Sequence, residues 1–165
     1  MHTGLDDGVT GNPALSHEVL RRDPFLIAAP PDTPLKELAV KREGQIYPEL
    51  DPVHLASQAM LMVTKGQRIR HVTDRVLAAC GVEPKIILTS RNYETLRRLA
   101  AEGMGCTLVP SQYVGILGGE DYRPCYFSLP ERYQAYWELS VVTLKDAYLS
   151  RAAKAFLARF MESIP

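Results

Sequence analysis

Short apolar runs alternate with segments of helical periodicity between residues 59 and 110. The apolar run 60–63 ends at a polar turn, and a helical pattern begins at Gln67. The run 86–88 ends at a second polar turn, a second helical pattern follows, and 105–109 forms a third apolar run. Two strand–helix–strand units in succession favour a parallel sheet with right-handed crossovers. The pattern therefore predicts an α/β fold with a βαβαβ core.

The two helices of this core have recognisable ends. The first is predicted over 67–80, with Gly81 beyond its last turn. The second begins after Asn92, a good N-cap residue, and ends at Gly103. The residues expected on their buried faces are Ile69, Val72, Val76 and Cys80 in the first helix, and Leu96, Leu99 and Ala100 in the second.

The rest of the chain predicts strands and one further helix. The run 24–29 is typical of a buried strand, and the segments 122–129 and 136–143 also have strand patterns. Ser150 is expected to cap a final helix with an apolar stripe. The members of this stripe are Phe156, Leu157, Phe160, Met161 and Ile164.

These elements predict two subdomains. Residues 30–117 would form one complete subdomain around the βαβαβ core. Residues 1–29 and 118–165 would form a second, partial α/β subdomain that is discontinuous in sequence. Its few helices would leave an apolar sheet face uncovered, so either a partner or a further part of the chain is expected there.

Composition excludes several classes of function. The 165 residues carry 19 basic and 19 acidic side chains, so the formal net charge of zero favours neither DNA nor an anionic membrane. No apolar run approaches the roughly 20 residues of a membrane span, and no secretory signal precedes the first strand, so a cytoplasmic location is expected. The three cysteines and four histidines share no metal-ligand spacing. No cofactor is expected.

The two strand-to-helix turns carry the candidate ligand-binding residues. In a parallel sheet both turns lie beyond the carboxyl ends of neighbouring strands, where helix N-termini offer backbone N–H groups to an anion. Hydroxyl and amide side chains in the turns would form hydrogen bonds with the anion, and arginines would supply full positive charge. Two further residues, at the end of the third strand, would lie beside this ligand site. The candidates are Thr64, Gly66, Gln67, Arg68, Ser90, Arg91, Asn92, Val109 and Pro110.

Each candidate also has an ordinary structural interpretation. Asn92 can serve only as a helix cap, Thr64 and Ser90 as turn residues, and the arginines as solvated charges. A structural role is the stronger interpretation for the pair Val109 and Pro110. The site prediction therefore depends on several groups converging on one ligand, which we expect to be a small organic anion.

Four segments resemble the C-terminal effector-binding domain of LysR-type bacterial transcriptional regulators. They are 18–35 (EVLRRDPFLIAAPPDTPL), 66–70 (GQRIR), 81–86 (GVEPKI) and 94–110 (ETLRRLAAEGMGCTLVP). Their order and spacing agree with that family over about 18–160. The resemblance implies a periplasmic-binding-protein-like fold, with a small effector held in the cleft between two subdomains and contacts from positions such as Thr64, Gly66, Ser90 and Asn92.

The resemblance also implies partners. Members of the family form homodimers or homotetramers through these domains, and a winged helix-turn-helix binds DNA. That helix-turn-helix and most of the first half of the first subdomain have no counterpart in this sequence, and residues 3–8 resemble a strand deep inside that subdomain. Helix 67–80, with Val72 and Val76 beside Arg75, is a candidate dimer contact, although this face can equally pack on its own sheet.

Two other classes of function stay open. A stand-alone solute-binding protein would share the fold. A small α/β enzyme would need a nucleophile such as Cys106 with His54 or His71 as its base. Since Cys106 lies within an apolar strand pattern, a buried and inert thiol is the stronger interpretation.

Overall fold

The structure of the protein, a computed structural model, describes residues 12–116 and 123–163. It contains strands, α-helices and two 3-10 turns. The strands are β1 (Leu15–Ala29), β2 (Ala59–Val63), β3 (Lys85–Ser90), β4 (Thr107–Pro110), β5 (Cys125–Ser128) and β6 (Tyr136–Leu144). The helices are α1 (Leu35–Leu38), α2 (Arg68–Ala79), α3 (Tyr93–Ala101), α4 (Gln112–Ile116) and α5 (Arg151–Ser163), and the 3-10 turns are Pro52–Ser57 and Glu131–Tyr133.

The chain divides into two compact units. The larger unit is Asp23–Trp137, and the smaller consists of Met1–Arg22 with Glu138–Pro165. These limits differ from those of the predicted subdomains, 1–29 with 118–165 and 30–117. The difference arises because residues 26–29 of β1 hydrogen-bond to β5, and residues 25–28 to β4, which places β5 in the larger unit.

The predicted βαβαβ order is confirmed in the larger unit. β2 and β3 pair in parallel from Ala59–Lys85 to Val63–Ser90. β4 enters beside β2 through a parallel bridge between Met60 and Cys106, in which Leu61 N donates to Cys106 O over 2.8 Å. The three strands of the repeat therefore run in the same direction.

β1 runs against its neighbours in this sheet. It lies between β4 and β5 and is antiparallel to both, pairing Ile27 with Leu108 on one side and with Phe127 on the other. Residues 25–29 are each at most 3% exposed, which explains their unbroken apolar sequence. β4 and β5 are consequently parallel to each other, so β2, β3, β4 and β5 all end at one edge, which we call the carboxyl edge.

Side chains alternate between the two faces of this sheet. Phe25 and Ile27 of β1 belong to the main core, together with Val72 and Val76 of α2 and Leu96 of α3. Leu26, Ala28 and Val109 form a smaller cluster with Tyr47, Val114 and Tyr126. The α2 prediction is confirmed, and because Val72 and Val76 are 1% and 0% exposed, they do not offer the dimer contact considered for that helix.

Gly105 lies where β4 approaches β2. A Cβ atom at this position would lie 2.5 Å from the backbone oxygen of Ala59. The same oxygen accepts a hydrogen bond from Cys106 N over 2.8 Å, so the backbone has little room to move away. A glycine is therefore required for the parallel contact between the two strands.

The smaller unit is described over residues 12–22 and 138–163. β6 pairs with β1, and Lys145 N donates to Ala14 O over 2.8 Å. Ser150 caps α5 as predicted, since its Oγ accepts from Ala153 N over 3.2 Å. No residue of α5 is buried, and Phe156 of the predicted apolar stripe is 66% exposed.

Some predictions fall on residues that the structure does not describe. These are the strand at 3–8, the first residue of the strand predicted at 122–129, and Ile164 of the apolar stripe. Within the described ranges, no helix has both the length and the apolar character that a membrane span requires.

Candidate functional site

The two predicted turns meet at the carboxyl edge. Thr64 follows β2 directly, and its backbone N donates to Ser90 O, at the end of β3, over 3.0 Å. This bond continues the parallel pairing that ends at Val63 and Ser90. The turns after β2 and β3 were predicted to lie side by side because the two strands were expected to be parallel neighbours. The structure has β2 and β3 as parallel neighbours.

Gln67 bridges the two turns. Its Nε2 donates to Thr64 Oγ1 over 3.4 Å within its own turn and to Arg91 O over 3.1 Å in the other. Gly66, just before it, has a φ of +90°, a conformation that favours glycine. The bend at Gly66 thus allows α2 to start with Gln67 directed towards the second turn.

The backbone N–H groups at the N-termini of α2 and α3 have different hydrogen-bond partners. Asn92 Oδ1 accepts from Glu94 N over 2.9 Å and from Thr95 N over 3.4 Å, and Asn92 N donates to Ser90 Oγ over 3.1 Å. The predicted cap at α3 is therefore present and occupies amides that an anion would use. Gln67 makes no capping hydrogen bond at α2. The first turn of α2 is thus the more suitable of the two for an anion.

The arginines near these turns have separate positions. Arg68 and Arg91 are both exposed. Arg70, which the sequence pattern did not single out, is only 6% exposed and donates to Val63 O over 3.0 Å and to Asp74 over 2.8 Å. Arg70 therefore joins the end of β2 to α2 and holds the first turn in place.

Val109 and Pro110 lie inside the sheet. Val109 is 0% exposed and packs against Leu26 and Ala28. Pro110 is also buried and lies opposite Phe25 in the pairing of β4 with β1. Their contacts support the structural interpretation, and a ligand contact by either stays a prediction.

Four aromatic side chains form a row at the carboxyl edge. Tyr93 stacks on Tyr113, with ring centroids 4.5 Å apart and planes at 29°. The Tyr113 ring meets Trp137 edge-on at 5.9 Å, and Trp137 meets Phe25 edge-on at 5.6 Å. Trp137 Nε1 also donates to Asp23 over 3.2 Å. We call Tyr93, Tyr113, Trp137 and Phe25 the aromatic row; sequence spacing gave no signal for it because its members come from four elements.

A cavity of about 450 Å³ opens at the same edge, beyond the ends of β4 and β5. Its walls include residues 24–26 in the second half of β1, the loop 44–47 and the segment 128–131. Ser128 Oγ donates to Gln45 Oε1 over 3.1 Å and so attaches that loop to β5. None of the nine predicted ligand residues lines this cavity, whereas Phe25 of the aromatic row does.

A buried ion pair supports α3 from behind. Arg97, 3% exposed, donates to both carboxylate oxygens of Glu94 over 2.7 Å and to Tyr126 on β5 over 3.2 Å. The hydrogen bonds from Arg97 hold the pKa of Glu94 below its usual value. This network ties the first two turns of α3, and with them the turn at Asn92, to the sheet.

Comparison with known proteins identifies the family. The family described as LysR substrate binding domain matches residues 3–164. The chain belongs to this family. The prediction made from the four resembling segments is confirmed, as is the α/β fold class.

Similar proteins agree with this membership. The chain is 31% identical over 105 residues to an HTH-type transcriptional regulator named CzcR from Bacillus anthracis, a match over 62% of this chain and 35% of that protein. The chain thus spans about a third of the length of that relative.

Solved structures show the same fold. The regulatory domain of CcmR from Synechocystis PCC6803, in complex with 2-PG, has a TM-score of 0.70 at 19% identity, covering 90% of this chain and 66% of that one. The C-terminal domain of a probable LysR family regulator from Rhodococcus sp. RHA1 has a TM-score of 0.69 at 20% identity, covering 92% and 69%. The effector binding domain of QuiR, in complex with shikimate, has a TM-score of 0.67 at 18% identity, covering 93% and 68%.

The chemistry of Cys106 opposes its use as a nucleophile in this LysR substrate-binding domain. The side chain is 0% exposed, and burial raises the pKa of its thiol to about 12. The thiol is therefore protonated at neutral pH and lacks the reactive thiolate form. Among the described residues, no group of three or more His, Cys, Asp or Glu side chains is placed to hold a metal ion.

Proposed function

We propose that this chain is the effector-sensing part of a LysR-type transcriptional regulator and binds a small organic anion at the turns after β2 and β3. The observation that carries the proposal is the junction of the two turns by Gln67, beside an α2 N-terminus that has no side-chain cap. Family membership supports it, and two of the structural neighbours are complexes with the small molecules 2-PG and shikimate.

The ligand would be held by three kinds of group. Backbone N–H groups of the first turn of α2 and the hydroxyls of Thr64 and Ser90 would donate hydrogen bonds. Arg68 and Arg91 would contribute positive charge from the exposed side of the turns. Gly66, Asn92, Val109 and Pro110 remain in the proposal as residues that shape the site, because their contacts hold the turns and the adjacent strand end.

In the regulator, binding would act through a shift in population. An anion that fits one arrangement of the protein better than another favours that arrangement by its difference in binding free energy. This would control DNA binding by a helix-turn-helix in the same protein, in the cytoplasm. We also propose that the regulator has the two subdomains predicted from the sequence. One would consist of residues 1–29 and 118–165, and the other of residues 30–117.

Self-association is the second part of the proposal, as a homodimer or homotetramer. Among the described residues β3 pairs only with β2, and its Ile86 and Ile87 are 41% and 46% exposed. An exposed apolar edge strand favours pairing with another chain. Light scattering should show an oligomer that Ile87→Lys dissociates, and a strict monomer at high concentration would contradict this part.

Binding at the turns is tested by titration. A thermal-shift screen of small carboxylates and phosphate esters selects a ligand, and calorimetry then gives its Kd. Arg68→Gln should weaken binding about tenfold or more, as expected for one charge-assisted contact of roughly 1.5–3 kcal/mol. Gln67→Ala should also weaken binding, because it removes the hydrogen bonds that join the two turns. Arg159→Gln, an exposed charge on α5, is the matched control. Unchanged affinity in both turn variants would refute the site.

A further inference from the structure

The aromatic row offers a surface next to the proposed anion site. Tyr93 follows Asn92 directly in the turn after β3, and Tyr113 follows the end of β4. Tyr93, Tyr113 and Trp137 are half-buried and so keep accessible ring surface, whereas Phe25 is 1% exposed. The row therefore extends from the second turn to the wall of the 450 Å³ cavity, which Phe25 lines.

The geometry of the row suits a further ring. Tyr93 and Tyr113 are stacked with their planes at 29°, and Trp137 meets Tyr113 at 81°. Both arrangements are those that aromatic quadrupoles favour, and a planar ligand can extend either of them. A saturated ring of the same size buries similar area but lacks the quadrupole that matches the tyrosine faces.

We infer that the site prefers a carboxylate that carries a planar aromatic ring over its saturated counterpart. The carboxylate would lie at the turns after β2 and β3, and the ring against Tyr93 and Tyr113. The inference rests on the proposed function, because it assigns a chemical class to the same site. An aromatic pair contributes about 0.5–1.5 kcal/mol beyond buried area, so the preference should be roughly 2- to 10-fold in Kd.

The test compares two ligands that differ only in the ring. Phenylacetate and cyclohexylacetate carry the same charge on rings of similar size, and each is titrated into the full chain by calorimetry. Trp137, the single tryptophan, gives a second reading through its fluorescence. The expected result is a Kd for phenylacetate roughly 2- to 10-fold below that for cyclohexylacetate, with a change in Trp137 emission for phenylacetate.

Variants separate ring recognition from anion recognition. Tyr113→Leu should bring the ratio of the two Kd values to about one, because leucine offers apolar area without an aromatic face. Tyr113→Phe keeps the ring and should keep the ratio. Tyr148→Leu is the control, since Tyr148 is 87% exposed and outside the row. If Tyr113→Leu does not fold, Tyr93→Leu provides the same comparison.

The possible failures are distinct. Equal Kd values in the wild-type chain, or a ratio that persists in Tyr113→Leu and Tyr93→Leu, would overturn the preference for an arene and leave the anion site standing. Binding of neither carboxylate at millimolar concentration, with no shift in melting temperature, would overturn the anion site and the preference together.

Discussion

Glu94→Gln should destabilise the larger unit strongly, because it leaves the Arg97 guanidinium without its counter-ion. Arg97 is 3% exposed, and the Glu94 side chain is 15% exposed. Breaking a buried ion pair by removing one partner costs about 3–5 kcal/mol. Glutamine still accepts one hydrogen bond, and the pair is not fully enclosed, so we expect a loss of about 2–3 kcal/mol.

Three further variants make this prediction specific. Glu94→Gln with Arg97→Met removes both charges and should recover at least half of the loss, since no charge is then left buried. Arg97→Met alone should cost less than Glu94→Gln, because the remaining carboxylate can reach water and Arg98 lies 3.0 Å away. Arg42→Gln is the control, because it breaks the ion pair between Arg42 and Glu49, in which the Arg42 side chain is 57% exposed. Exposed ion pairs contribute about 0–1 kcal/mol, so this variant should lose little stability.

The assay is urea unfolding followed by circular dichroism and by Trp137 fluorescence. The pKa of Glu94 is lowered in the folded state, so the pair stabilises the protein above the unfolded-state value of about 4.3 and this contribution is lost as the pH falls through the folded-state pKa. The difference between wild type and Glu94→Gln should therefore shrink below about pH 4. A Glu94→Gln loss under about 0.5 kcal/mol, or a double variant no more stable than Glu94→Gln, would refute the reasoning.

Three other outcomes follow from local geometry. Gly105→Ala should lower the free energy of unfolding by about 1–3 kcal/mol in urea titrations, since its Cβ would lie 2.5 Å from Ala59 O; a neutral effect would contradict the close approach. Asn92→Ala should cost about 1 kcal/mol by the same assay and Asn92→Ser much less, because serine retains a capping oxygen; equal losses would contradict the cap. Cys106 should resist a thiol reagent at pH 7 until the chain is unfolded, as its pKa of about 12 requires; labelling of Cys106 at the rate of a free thiol would contradict this.

Local patterns determined most of the larger unit. The spacing of Ile69, Val72 and Val76 predicted the buried face of α2, and all three are at most 7% exposed. Asn92 predicted the start of α3, and its side chain makes the expected capping bonds. Such features depend on a few residues next to each other in sequence, so the sequence suffices to find them.

The same local patterns could not predict which strands pair over long distances in the sequence. The run at 24–29 predicts a strand but not its neighbours, and β1 joins residues 25–29 to β4 and β5, which lie about 80 and 100 positions later. This pairing sets the limit of the larger unit at Asp23. The aromatic row depends on another long-range contact: β6 also pairs with β1, and Phe25 N donates to Ala135 O over 2.7 Å, which brings Trp137 to Phe25. Nothing in the spacing of either residue indicates that contact.

The two turns show why equal sequence signals do not imply equal roles. Both place polar residues between a strand and a helix, and both were predicted to present N–H groups to an anion. At α3 the Asn92 oxygen already accepts from two of those groups, so an anion there would have to displace a cap that contributes about 1 kcal/mol. At α2 the Gln67 side chain instead reaches across to Arg91 O. Under the proposed function, the second turn would therefore mainly support and shape the site, and the first turn would be the better place for the charge of a ligand.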